Sequence, residues 1–236
     1  MKIIVDLFNQ HSGNMTELKR LALNAYMSGA DAAKIQILNS KRIWGDDTRK
    51  YLEMTFEQVK EIKEYCDMLG IEFLATVFDE KGLEWIDEIG VSFYKVASVT
   101  AAKEPALVEK ILSKNKETII STGMFDPGIF PYGKDKNIKY LYCISKYPTM
   151  LFDEKVRKMP LKFSKDGYYG LSDHCIGTGA GLVAKVRGAK ILEKHFTMNV
   201  NNQNRFEKAH LCSFDEKSLR EFRNSINEID LVLGNK

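Results

Sequence analysis

Short runs of β-branched and aromatic residues alternate with longer amphipathic stretches from one end of this chain to the other. This alternation is typical of βα units built around a parallel sheet. We predict eight strands, at Lys2–Val5, Ala33–Ile37, Glu72–Thr76, Ser92–Ala97, Glu117–Ser121, Lys139–Cys143, Tyr168–Leu171 and Lys190–Glu193. Eight strands in series, without a linker, favour a closed (β/α)8 TIM barrel of the α/β class over an open doubly wound sheet. We therefore expect residues 1–236 to form a single domain.

Helices are predicted between the strands, and some of them carry clear signals at their ends. Thr55 with Gln58 resembles a capping box, Gly70 is suited to end the same helix, and Asp215 lies near the start of the last helix. The predicted helices are Met15–Ser28, Thr55–Leu69, Lys81–Glu88, Pro105–Ser113, Asp153–Phe163, Gly179–Arg187 and Phe214–Leu233. Two prolines and two glycines within residues 125–137 leave little room for a helix there.

Composition narrows the functional classes. The net charge of +3 is small and evenly spread, which argues against a nucleic-acid-binding protein. No apolar run approaches the roughly 18 residues of a membrane helix, and the N-terminus becomes charged too early for a signal peptide. The cysteines form no CxxC pair, as expected of reduced thiols, and Trp44 and Trp85 are interpreted as packing residues. We expect a cytoplasmic protein that binds neither nucleic acid nor membranes.

Polar residues cluster where the predicted strands end, which is where the active sites of such barrels lie. Lys34 and Lys95 are embedded in apolar strands, and an unpaired buried lysine is costly. Lysines surrounded by serine and threonine hydroxyls suit a small polyanion, so we expect an anionic, phosphorylated substrate. The alternative is that both lysines pair with Asp6 and Glu193 in a static barrel network.

His174 and His195 each follow a short apolar run that is predicted to be a strand. Either histidine alone is more often a hydrogen-bonded core or loop residue. Neutral imidazoles at two adjacent strand ends can, however, share one metal ion. The pair therefore predicts an active site.

Seven short motifs, in order and spacing over almost the whole chain, resemble the N-acetylneuraminate (sialic acid) synthase family. They are Ala33–Gln36, Phe73–Asp79, Phe93–Ser98, Ser121–Met124, Cys143–Pro148, Ser172–His174 and Glu193–Thr197. The resemblance implies a TIM barrel that condenses phosphoenolpyruvate with the open-chain aldehyde of an aldose. The products would be phosphate and a 2-keto-3-deoxy acid, of the nonulosonic or a related ulosonic type. It also implies a divalent metal, Mn²⁺ first, with Mg²⁺ or Co²⁺ as alternatives.

The resemblance further implies residue roles. His174 and His195 would hold the metal, which would polarise the aldehyde. Tyr147 would lie beside both substrates, and Lys34 would belong to the catalytic set. Asp6 falls near the glutamate that precedes the family's Asn-His pair and would manage the metal-bound water or the developing hydroxyl. Phosphoenolpyruvate would be bound by Lys34, Gln36, Thr76, Lys95, Ser98, Ser121, Ser145 and Ser172.

The sequence departs from the family pattern on the sugar side. Thr100 and Phe206 stand where the family has sugar-binding carboxylates. We therefore expect N-acetylmannosamine to be a poor acceptor, and Arg205 and Lys208 to meet a different aldose. The sequence ends after the last predicted helix, so we expect the barrel without the family's antifreeze-like domain, and a homodimer formed between barrels.

Two other functional classes remain open. In a class I aldolase, Lys34 or Lys95 would form a Schiff base, because a desolvated lysine on a barrel strand is a usual nucleophile for carbonyl chemistry. A non-catalytic sugar-phosphate-binding homologue would explain the lost carboxylates.

Overall fold

The computed structural model describes residues 1–201 and 209–234, and in it eight parallel strands close into a barrel. Each strand pairs with the next in the chain, and the last pairs back to the first. The strands are β1 (Lys2–Asp6), β2 (Ala32–Ile37), β3 (Glu72–Val77), β4 (Tyr94–Val96), β5 (Thr118–Ser121), β6 (Ile138–Cys143), β7 (Gly170–Asp173) and β8 (Ile191–His195). The predicted (β/α)8 TIM barrel is confirmed.

Helices cover the outside of the barrel. They are α1 (Met15–Met27), α2 (Ser40–Trp44), α3 (Phe56–Leu69), α4 (Glu80–Ile89), α5 (Ser98–Lys103), α6 (Pro105–Leu112), α7 (Glu154–Arg157), α8 (Gly179–Val186) and α9 (Glu216–Val232). The capping box of Thr55 and Gln58 is present, Gly70 ends α3 in the left-handed conformation, and Asp215 caps α9. None of the helices in residues 1–201 and 209–234 has both the length and the apolar composition to span a bilayer.

The fifth helix predicted from the sequence is much shorter than expected. The prediction of Asp153–Phe163 was wrong, because α7 spans only Glu154–Arg157. Pro160 gives the reason, since a proline disfavours helical geometry at the residue before it. The short helices α2 and α5, which follow β2 and β4, were not predicted.

The connection between β5 and β6 contains no helix, as predicted. Aromatic side chains hold it against the barrel instead. The Phe130 ring lies 4.9 Å from Tyr140 and 5.1 Å from Tyr168, between ring centroids. The Tyr168 and Tyr140 hydroxyls accept hydrogen bonds from the backbone N–H of Gly128 and Tyr132. Packed rings thus take the place of the missing helix.

Strand alternation places every second side chain inside the barrel. A closed apolar layer fills the end at which the strands begin, and it consists of Ile4, Ala32, Leu74, Phe93, Ile119, Leu141 and Ile191. The residues two positions further along the strands, counted on β7 from Gly170, form the next layer, and they are Asp6, Lys34, Thr76, Lys95, Ser121, Cys143, Ser172 and Glu193. The apolar layer seals the barrel below, so the polar layer faces only the carboxyl ends of the strands.

The close approach of β7 to β8 depends on a glycine. A Cβ atom on Gly170 would lie 2.1 Å from the carbonyl oxygen of Ile191 on the neighbouring strand. We predict that Gly170→Ala destabilises the barrel by about 3 kcal/mol or more, at or above the upper end of the usual cost of overpacking. Urea unfolding followed by circular dichroism measures this.

Gly179→Ala provides the matched control, because its Cβ would meet only Leu151 Cδ1, at 3.8 Å. This control should unfold close to the wild type. Equal unfolding midpoints for the two variants would contradict the proposed backbone contact.

Candidate active site

A cavity of about 400 Å³ opens at the carboxyl ends of the strands, a volume within the usual range of small-ligand pockets. Most of the site residues predicted from the sequence line it, namely Asp6, Lys34, Gln36, Thr76, Lys95, Ser98, Ser121, Tyr147, Ser172, His174 and His195. Ser145 is not part of this lining, and Arg205 and Lys208 lie outside the described residues. Thr100 is buried in α5 and is likewise not part of the lining.

Lys34 is held by three oxygen atoms at the base of this cavity. Its Nζ lies 2.7 Å from Asp6 Oδ2, 3.1 Å from Glu193 Oε1 and 3.1 Å from Thr76 Oγ1. Gln36 donates to the same Asp6 oxygen at 2.9 Å. Burial opposes charge on Lys34, but Asp6 and Glu193 outweigh it and raise the pKa of this lysine, which therefore stays protonated.

The charge of buried Lys95 is compensated by fewer carboxylates than that of Lys34. Lys95 Nζ donates to the Val96 carbonyl and to Ser121 Oγ, both at 2.9 Å, and lies 3.4 Å from Glu193 Oε2. Burial lowers the pKa of Lys95, and Glu193 offsets this only in part. Among the described residues, Glu193 is the carboxylate that pairs with Lys95, whereas Lys34 pairs with two.

Glu193 joins the two lysines, with one carboxylate oxygen on each. Burial alone would raise its pKa, but Lys34 and Lys95 reverse this effect and hold the pKa well below its ordinary value. The pairing that the sequence offered as a static network is therefore present. Because both lysines also line an open cavity, the pairing does not exclude an anion site.

The two histidines lie above this charged layer with their ring centroids 5.3 Å apart. His174 Nδ1 donates to the Ile144 carbonyl at 2.8 Å, so Nε2 carries the lone pair when the ring is neutral. Burial opposes charge on this ring, but Cys143 and the Ile144 carbonyl outweigh it and raise the pKa of His174. Burial lowers the pKa of His195 to about 3, so this ring is neutral near pH 7. Its Nε2 lies 3.8 Å from Asp6 Oδ2, and its Nδ1 is buried without a hydrogen-bond partner in the described part of the chain.

The histidine nitrogens are suitable metal ligands, but they supply only part of a coordination shell. A buried nitrogen without a partner is satisfied by a ligand that the protein alone does not supply. Within residues 1–201 and 209–234, however, no group of three or more His, Cys, Asp or Glu side chains is arranged to hold a metal. A divalent ion here would have two imidazole ligands, with Asp6 nearby, and its other ligands would be water and substrate.

A second buried ion pair joins the ends of β7 and β8, the strands that carry the histidines. It lies on the outward face of these strands. Lys194 Nζ lies 2.7 Å from Asp173 Oδ2 and donates to the Cys175 carbonyl at 2.7 Å. Asp173 Oδ1 accepts from the Cys175 N–H at 2.8 Å. Each residue of the pair precedes a histidine, so alternation turns the ion pair outward and the histidines inward. This contact was not predicted from the sequence.

Aromatic rings surround the histidines at the mouth of the cavity. The Tyr147 ring lies 4.2 Å from His174 and 5.7 Å from His195, between centroids, and its side chain is exposed. Phe8 lies 4.3 Å from His195 on the same basis. Trp44 also lines the cavity, so a packing role alone does not describe it.

Cys143 was missed as a site residue, and Glu193 was named only as a partner of the lysines in the static network. Both lie two positions after an inward apolar residue of the same strand, Ile191 and Leu141, so counting along the strands would have found them. Cys143 Sγ lies 3.8 Å from His174 Nδ1 at the edge of the cavity.

Comparison with known proteins places this geometry in a family. A sequence model described as the NeuB family matches residues 21–236. The chain belongs to the NeuB family. It is 29% identical to N-acetylneuraminate-9-phosphate synthase of Mus musculus, over 98% of this chain and 71% of that protein. It is also 29% identical to N,N'-diacetyllegionaminic acid synthase of Legionella pneumophila, over 98% of this chain and 73% of that protein.

A solved structure agrees with these relatives. The N-acetylneuraminic acid synthetase of Leptospira borgpetersenii, in complex with citrate, superposes on this NeuB-family chain with a TM-score of 0.87 and 27% identity. The match covers 98% of this chain and 84% of that one. The resemblance to the sialic acid synthase family is confirmed, and with it the prediction of an enzyme of that type.

We predict that Lys194→Met destabilises the protein by about 3–5 kcal/mol, because it leaves the Asp173 carboxylate buried without its partner. Urea unfolding measures the difference. Lys158→Met is the control, since the Lys158–Glu154 pair is exposed to solvent and its loss should cost little stability. If the two variants lost the same stability, the Lys194 pair would not hold the ends of β7 and β8 in the way inferred.

Proposed function

We propose that this NeuB-family barrel condenses phosphoenolpyruvate with an aldose, giving a nonulosonic or related 2-keto-3-deoxy acid and phosphate. The methylene carbon of phosphoenolpyruvate would form the new bond to the aldehyde carbon. Water would then add to the carbon that carries the phosphate, which leaves. The observation that carries this proposal is the pair of buried lysines, joined by Glu193, in the same cavity as the two adjacent histidines. The names of the relatives support it.

The anionic substrate would bind at the charged base of the cavity. Lys95 supports this because its burial is not fully compensated, so a carboxylate or phosphate oxygen beside it would restore the lost solvation. Thr76 and Ser121 present hydroxyl groups next to the two lysines. Gln36, Ser98 and Ser172 line the same cavity and would satisfy further oxygens.

Charge balance supports a metal ion in the same cavity. Lys34 and Lys95 are matched by Asp6 and Glu193, so these four groups offer no net charge to a substrate with both a carboxylate and a phosphate. His174 and His195 would hold a divalent ion, with Mn²⁺ as the first candidate and Mg²⁺ or Co²⁺ as alternatives. When bound, such an ion supplies positive charge and Lewis-acid polarisation of an aldehyde oxygen.

Asp6 would act by orientation. Burial opposes its charge, but Lys34 holds its pKa below the ordinary value, so it remains a carboxylate and is a weak base. Its Oδ2 accepts from Lys34 and Gln36, and its Oδ1 accepts from the Phe8 N–H at 3.0 Å. Asp6 would therefore keep Lys34 and His195 in place. Tyr147, exposed beside both histidines, would contact the aldehyde substrate as it enters.

A class I aldolase is the second candidate, and one observation favours it. Burial lowers the pKa of Lys95, which increases the share of the neutral amine that a Schiff base requires. The pKa of Lys34 is raised, so Lys95 would be the nucleophile. Borohydride reduction with substrate, followed by mass spectrometry, would add the substrate mass to Lys95 in an aldolase and should add none here.

We predict that phosphoenolpyruvate binds without an acceptor, and that Lys34→Met or Lys95→Met weakens binding by about 1.5–3 kcal/mol, the range for a hydrogen bond to a charged group. Isothermal titration calorimetry with Mn²⁺ present measures this. Lys116→Met is the control, because Lys116 bonds the Val91 carbonyl away from the cavity. Unchanged affinity in both cavity variants would remove the proposed anion site.

We also predict that His174→Ala and His195→Ala lose Mn²⁺ binding and turnover. Titration of each apoprotein with Mn²⁺, followed by electron paramagnetic resonance, gives the first readout. Phosphate release with a panel of aldoses, with the product identified by mass, gives the second. Full Mn²⁺ binding in both variants would rule out the histidine site, and absence of any condensation product in the wild type would rule out the proposed reaction.

The acceptor that differs from N-acetylmannosamine, the homodimer, the cytoplasmic location and the lack of nucleic-acid binding all stay predictions. The aldose panel tests the first of them directly, and it should contain phosphorylated and unphosphorylated sugars.

A further inference from the structure

The cavity has two chemically different parts. Its base is buried and charged, with Lys34, Lys95 and Glu193 at most 5% exposed. Its mouth is aromatic and partly open to solvent, with Trp44 and Tyr147 in the lining. Trp44 follows β2 and Tyr147 follows β6, and these strands are opposite each other in an eight-stranded barrel. The two rings therefore lie on opposite sides of the mouth.

The segment that carries Trp44 is fixed by its own hydrogen bonds. Asn39 caps α2 by accepting from the Arg42 N–H at 2.9 Å. The Ser40 N–H donates to Glu53 Oε1 at 2.7 Å, and Ser40 Oγ donates to the Asp46 carbonyl at 2.8 Å. Trp44 is thus the last residue of a short helix whose backbone is fixed by hydrogen bonds within the protein.

The Arg49 guanidinium carbon lies 4.3 Å from the centroid of the Trp44 ring. A single guanidinium covers one face of an indole. The other tryptophan of the chain, Trp85, does not line this cavity, and its ring centroid lies 5.8 Å from that of Phe56. The packing role predicted for both tryptophans therefore suits Trp85, whereas Trp44 is part of the cavity lining.

An indole ring suits one of the two proposed substrates and not the other. Phosphoenolpyruvate is a small dianion or trianion, and its complement is the charged base of the cavity. An aldose carries a row of C–H groups that pack on an aromatic face, while its hydroxyls remain available for hydrogen bonds. The ring at the mouth is therefore complementary to the sugar.

We propose that Trp44 is a platform for the aldose acceptor and selects acceptors long enough to reach it. This inference rests on the proposed function. The aldehyde end would lie at His174, His195 and Tyr147, and the C–H groups remote from the aldehyde would pack on Trp44. The histidines are on β7 and β8 and Trp44 follows β2, so an acceptor that contacts both spans the mouth. We infer that an extended hexose chain spans the mouth in this way and that the shorter triose chain does not.

Kinetics with matched variants test the platform. Trp44→Ala should raise the KM of hexose acceptors about tenfold, which corresponds to an aromatic contact of about 1.4 kcal/mol, with a smaller effect on kcat. Trp44→Phe should restore most of the affinity, and Trp85→Phe should behave as the wild type. Phosphoenolpyruvate affinity and the KM of glyceraldehyde should remain unchanged in all three variants.

Fluorescence tests the same contact without turnover. The chain has two tryptophans, so in Trp85→Phe the indole emission comes from Trp44 alone. Titration with a hexose acceptor should shift or quench this emission, and glyceraldehyde should not. Thermal unfolding of each variant shows whether the fold is retained.

The outcomes separate this inference from the proposed function. If Trp44→Ala condenses hexoses with unchanged KM, the platform is overturned and the proposed function stands. If the wild type condenses no aldose, the proposed function fails, and the fluorescence titration still decides whether Trp44 meets a sugar. An emission that no hexose changes overturns the platform in either case.

Discussion

The ion pairs between Glu193 and the two lysines are the interaction on which the arrangement of the site depends. Three charged side chains are placed inside a barrel, where each would be costly alone. They are tolerated because one carboxylate contacts both lysines, and because Asp6, Thr76 and Ser121 supply further oxygens. The lysines come from β2 and β4 and the carboxylate from β8. This contact therefore requires a closed barrel, since an open sheet would not bring those three strands around one point.

The strands β7 and β8 use both of their faces for the site. Inward residues supply Ser172 and Glu193 to the polar layer, and outward residues form the buried pair of Asp173 with Lys194. The histidines at the ends of these strands are thus positioned by an ion pair whose carboxylate, Asp173, is not part of the cavity lining. A substitution of Asp173 would therefore change the position of the histidines without removing a lining residue of the cavity.

Much of the fold and of the site could be predicted from the sequence, for a physical reason. A strand with buried faces leaves a short apolar run, and eight such runs gave the correct strands and the correct edge for the site. Most residues predicted there, such as Lys34 and His195, do line one cavity. The predicted length of α7 was wrong because Pro160 disfavours helical geometry at the residue before it. The Lys194–Asp173 pair and the exposure of Trp44 could not be read from local patterns, since both depend on contacts between segments distant in the sequence.

The connection between β5 and β6 has a consequence for local opening. Its backbone N–H groups bond mainly within short turns or to tyrosine hydroxyls, as at Ile129, Gly133, Gly128 and Tyr132. In a helix, many equivalent backbone hydrogen bonds protect the amide hydrogens from exchange with solvent. In this segment, the same protection depends on the packing of a few rings around Phe130. Its amide hydrogens should therefore exchange with solvent as one group, at the rate at which those rings separate, while the strands beside it remain protected.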